Sequence, residues 1–126
     1  MIDHIKLTGT TDSGGDLTVT APVPIHGAIL KRVEWIDGDL VDGVDAVLSV
    51  TSTPSGVDHT LLTLTNANAD ANYYPTVIAH DNAGAAVTFD GTNEIYVEDT
   101  FWGILKLVVS SGGATKTGGC VVYFES

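Results

Sequence analysis

The feature that most constrains this chain is alternation with a period of two, broken at short intervals by turn residues. Ile5 and Leu7 alternate with His4, Lys6 and Thr8, and Leu17 and Val19 with Asp16, Thr18 and Thr20. Val33 and Trp35 share one face of the segment Ala28–Asp37, with Arg32 and Glu34 on the other. Ala46, Leu48 and Val50 repeat the pattern, as do Leu62 and Leu64. Tyr74–His80, Ala86–Phe89, Ile95–Asp99, Gly103–Ser110 and Cys120–Glu125 complete about ten candidate strands. Successive side chains of a strand face opposite sides, so each run offers one apolar face to a core.

Turn chemistry separates the runs. Asp12-Ser13-Gly14-Gly15, Asp42-Gly43, Asn82-Ala83-Gly84, Asp90-Gly91 and Ser111-Gly112-Gly113 carry glycine where a left-handed backbone is commonly needed. Gly and Pro interrupt every candidate helix before about ten residues. Ala67–Asn72 has room for one turn, but its Asn and Asp content favours a loop. The expectation is an all-β chain, an antiparallel β-sandwich or jelly-roll-like barrel. With 126 residues and neither tandem repeat nor linker, residues 1–126 read as one domain. Its expected core is Val33, Trp35, Leu48, Val50, Leu62, Leu64, Leu105, Leu107, Val122 and Phe124.

Charge narrows the partners. Sixteen acidic residues face five basic ones, a formal net charge of -11. Such a field repels phosphate backbones and anionic bilayers, so neither nucleic acid nor membrane is an expected partner. It suits solubility at high copy number or docking on a basic surface. No apolar run approaches the roughly 18 residues of a membrane span. The start, Met1-Ile2-Asp3-His4-Ile5-Lys6, lacks the basic-then-apolar plan of a signal peptide, so synthesis in a cytoplasm is expected. Cys120 is the single cysteine and lies in the apolar run Cys120–Phe124, as a small buried hydrophobe would.

The chemistry-bearing residues form no recognised constellation. The acidic stretch Asp37–Asp45 resembles a calcium loop, but Asp42 falls three residues after Asp39 and breaks the ligand register. A solvated acidic turn is the simpler reading; if a cation bound, Asp37, Asp39 and Asp42 would be its ligands. The histidines at 4, 26, 59 and 80 show no zinc spacing. His80-Asp81 has the composition of an acid–base pair, but neighbours on a strand point apart. There is no nucleophile elbow and no phosphate loop. The chain therefore reads as a non-enzyme without cofactor or metal. Two aromatic pairs remain, Tyr73-Tyr74 and Phe101-Trp102. Strand geometry sends one ring of each pair inward and leaves the other for a subunit contact, a glycan or no contact at all.

Several segments resemble small virion proteins of tailed phages. Tyr73-Tyr74-Pro75-Thr76-Val77-Ile78-Ala79-His80-Asp81-Asn82-Ala83-Gly84 is similar to a Tyr-Tyr-Pro strand that leads into His-Asp and a Gly turn. The run Gly103–Gly113 and the closing strand Gly119–Phe124 are similar too, as are His26–Leu30 and Leu61–Thr65 before an Asn/Asp loop. Together these cover about two-thirds of the chain; the Asp37–Asp45 loop is not matched to the pattern. The resemblance implies a capsid decoration, or cement, protein on the virion surface. It implies the major capsid protein and further copies of the chain as partners, with a homotrimer as the expected assembly. Tyr73, Tyr74, Phe101 and Trp102 are then the expected interface residues. The alternatives are another head-fibre or tail component, and a carbohydrate-binding module.

Overall fold

A computed structural model describes all residues from Met1 to Ser126. Ten strands form in chain order: β1 (Ile2–Thr10), β2 (Leu17–Thr20), β3 (Ile25–Ile36), β4 (Asp45–Thr51), β5 (Asp58–Leu64), β6 (Ala71–Tyr73), β7 (Thr76–Ile78), β8 (Tyr96–Glu98), β9 (Thr100–Ser110) and β10 (Thr117–Glu125). There is no helix, and every strand pairing is antiparallel. One layer runs β1-β10-β3, with β6 beside the second half of β3. The other runs β2-β9-β4-β5. The fold is an antiparallel β-sandwich.

Strand β9 joins the two layers. Its first residues pair with β3, Phe101 opposite Ala28, and its remainder pairs with β4 and β2. The change of layer falls at Gly103, whose φ is 145°. A Cβ there would stand 2.0 Å from the carbonyl oxygen of Thr51, so only glycine lets the two backbones approach.

The alternating residues meet between the layers. Leu7, Val33, Trp35, Leu48, Val50, Leu105, Leu107, Val109, Val122 and Phe124 belong to one cluster of 21 buried hydrophobic residues. Leu64 joins them as expected, whereas Leu62 is only partly buried. Strand β5 is the last of its layer, which leaves Leu62 open on one side, and a register shift opposite Leu48/Ser49 turns Leu61 inward. The Trp35 indole N–H donates to the carbonyl of Ala67 at 3.0 Å, so a buried ring that needs a partner has one. Cys120 is buried, and burial pushes its thiol up to about 12. It is an unreactive hydrophobe at neutral pH.

The segment between Tyr73 and Asp99 departs from the expected strands. Tyr74–His80 breaks at Pro75, which has no N–H to offer a ladder, so Tyr73 closes β6 and β7 is only three residues long. Ala86–Phe89 makes isolated bridges, His80 with Ala86 and Thr88 with Glu94, instead of a strand.

Candidate assembly surfaces

Residues 74–98 leave the sandwich as an arm. Strands β7 and β8 form its stem, paired Thr76 to Glu98 and Ile78 to Tyr96. Above the stem three residues close a ring of backbone hydrogen bonds. Ala79 N–H donates to Ile95, Ile95 N–H to Val87, and Val87 N–H to Ala79, at 2.8–3.1 Å. Aspartates hold the tips. Asp81 accepts from the N–H groups of Ala83 and Ala85, and Asp90 from those of Thr92 and Asn93. These bonds hold both carboxyls below the usual carboxylate range. His80-Asp81 is thus a turn device rather than an acid–base pair.

No residue of the arm is buried. Tyr74, Phe89, Ile95, Tyr96 and Val97 all stand exposed, Phe89 at 71%. A free two-stranded ribbon is marginal in water, and this one shows solvent the apolar side chains that would hold it against something. At its base Lys31 lies 2.9 Å from Glu98. At its exit the buried Asp99 meets Nε2 of His59 at 2.9 Å, a pairing across forty residues that no local motif signals.

The aromatic pairs divide as strand geometry requires. Phe101 is buried edge-on against Phe124, with ring centroids 6.0 Å apart. Trp102 points out, its ring 5.5 Å from His26 and laid over Gly27. Tyr73 packs against the core, while Tyr74 is 66% exposed beside Arg32 and Tyr123. The Arg32 guanidinium lies 4.3 Å above the Tyr123 ring, and the Tyr123 hydroxyl donates to Glu34. That hydrogen bond is the main cause of the raised Tyr123 pKa.

Charge is segregated. Asp12, Asp16, Asp37, Asp39, Asp42 and Asp70 gather on the loops at one end of the sandwich. Burial, then Asp70 and Asp42, raise the Asp37 carboxyl. Asp39 is engaged by the N–H of Thr117 and Asp45 by that of Asn66. No three acidic, His or Cys residues converge as metal ligands, so Asp37, Asp39 and Asp42 are not brought together as a cation site. Lys6, Lys31 and Arg32 lie on β1 and β3 of the first layer. On the second layer the residues of β2, β9 and β4 on the outer face include Thr18, Thr20, Lys106, Val108, Val47, Ser49 and Thr51.

No family model and no curated protein matches the chain. Among solved structures it is similar to the Drosophila NLP core, a protein described for pentamer formation and histone binding. The identity is 9% over 99% of this chain and 96% of that one, with a TM-score of 0.42. It is also similar to a chain of the virus-like particle of the Macrobrachium rosenbergii extra small virus, at 12% identity, 99% and 80% coverage and a TM-score of 0.23. A chain of the Gx strain of infectious bursal disease virus matches at 12% identity, with 98% and 37% coverage and a TM-score of 0.31.

Proposed function

We propose that this protein is a virion structural component that decorates and stabilises a tailed-phage capsid as a homo-oligomer, a trimer being the expected form. It acts by binding, without catalysis or cofactor, and its partners are the major capsid protein and further copies of itself. The observation that carries this reading is the arm, an exposed apolar ribbon built on a rigid sandwich. Such a patch on a soluble domain marks a contact surface. A cement protein bridges neighbouring capsomers, and many weak copies hold through multivalency. The acidic loop end favours a basic patch on the shell.

Counting copies in purified particles tests this. Hundreds per particle support decoration. A handful would assign the chain to a tail or portal part, and none would remove it from the virion. A second reading rests on Trp102, an exposed ring in a groove with Glu125 at its wall, which has the amphipathic make-up of a sugar platform. Retention on a polysaccharide matrix that is lost in Trp102→Ala would favour that reading.

A further inference from the structure

The arm needs a surface to lie on, and its chemistry selects one. It carries four carboxylates, Asp81, Asp90, Glu94 and Glu98, and no Lys or Arg. Three of these are engaged within the chain: Asp81 and Asp90 by their turns, Glu98 by Lys31. Glu94 meets only the Tyr96 hydroxyl, at 3.4 Å. The arm thus offers one free carboxylate amid exposed apolar side chains.

A surface of this same chain has the complementary make-up. On the outer face of the β2-β9-β4-β5 layer, Lys106 stands between Thr20 and Ser49, with Val108 and Val47 in the next row. Lys106 has no ion-pair partner. The acids flanking this patch on its own layer lie at the strand ends: Asp45 and Asp58, each already accepting a hydrogen bond, and Asp16 just before β2. The opposite outer face is more highly charged: Lys31, Arg32 and Glu34 stand in internal pairs, and its unpaired lysine, Lys6, shares a row with Glu34 across Val121. The acidic loop end would repel the arm.

We propose that the arm of one copy lies across the outer face of the β2-β9-β4-β5 layer of a second copy, with Lys106 of that face receiving Glu94 of the arm. The inference rests on the self-assembly reading above and names its contact. Within one chain the arm meets the body at β3, in the other layer, so the occupant is a neighbour's arm. Each copy has one arm and one such face, and a head-to-tail contact of this kind builds a ring where the rotation between copies closes and a filament where it does not.

The test is charge exchange in the intact chain, with association measured by sedimentation and folding by circular dichroism. Lys106→Glu should weaken association by about tenfold or more without altering the spectrum, since Lys106 points away from the core. Adding Glu94→Lys to it should restore association. Carbodiimide coupling of a mixture of ¹⁴N- and ¹⁵N-labelled chains should yield a mixed-isotope peptide pair joining Lys106 to Glu94. If Lys106→Glu associates like the parent, if Glu94→Lys fails to restore it, or if the link is absent or forms only within one chain, the proposed contact is wrong while self-assembly stands. A parent chain that is monomeric at all concentrations and salt levels removes both.

Discussion

His59 on β5 places Nε2 2.9 Å from Oδ2 of Asp99, the residue at which the chain re-enters the sandwich from its arm. Asp99 is buried, 6% exposed, and its backbone carbonyl accepts from the N–H of Leu30. The side-chain pair therefore ties the arm's exit to the edge strand of the other layer.

Removing that partner leaves a buried carboxylate oxygen unmet. His59→Ala is expected to cost about 1–2 kcal/mol, toward the low side for an unsatisfied buried acceptor because water reaches the half-exposed imidazole position. His59→Gln, which keeps an N–H donor, is expected to lose less. Thermal unfolding of the two variants side by side checks the order, and equal losses would refute the hydrogen-bond account.

Gly103 makes a second, sharper case. With φ at 145° and the Thr51 carbonyl 2.0 Å from where a Cβ would lie, Gly103→Ala must displace backbone at the layer crossing. A loss of about 2–4 kcal/mol is expected. Gly43 also has positive φ but nothing within 4 Å, so Gly43→Ala should cost clearly less. Chemical denaturation of both variants measures the difference.

The period-two runs placed the sandwich strands and nearly all of the core, because alternation reports directly which side chains face an apolar layer. It also identified Phe101-Trp102 as a pair with one ring out. It could not separate the arm from the body. Ile95–Asp99 and Ala86–Phe89 alternate like core strands, and what distinguishes them is that nothing packs on them, a property of distant chain that a local pattern does not carry. Pro75 was the available signal that the run from Tyr74 would break. His59–Asp99 and the isolation of Lys106 depend on pairings across the sandwich and leave no local trace.

Acid should loosen the arm's tips before the sandwich. Backbone N–H groups hold the Asp81 and Asp90 carboxyls below the ordinary value of 3.8. For such a depressed pKa the stabilisation is complete above the unfolded-state value and is lost as pH falls through the folded-state one. The amides of Ala83, Ala85, Thr92 and Asn93 are expected to shift and lose protection below about pH 4, while those of β3 and β9 hold. Amide spectra across an acid titration test this; simultaneous loss in the arm and β9 would contradict it.

Salt should act in opposite senses on the two kinds of contact. Chains carrying -11 each repel, so self-association through a mainly apolar arm should strengthen as salt screens that repulsion. Attachment of the acidic loop end to a basic capsid patch should weaken. Light scattering of the free protein and co-sedimentation with stripped capsids, each at low and high salt, read the two trends.

The central claim is that the arm joins copies of this chain. Sedimentation velocity on the intact protein at tens of micromolar, beside a Phe89→Ser/Tyr96→Ser variant, tests it most directly. Both residues are exposed and outside the core, so the variant should keep the parent's circular-dichroism spectrum. The account predicts a discrete oligomer for the parent and a monomer for the variant. A parent that stays monomeric at both low and high salt, or a variant that assembles as the parent does, would contradict it.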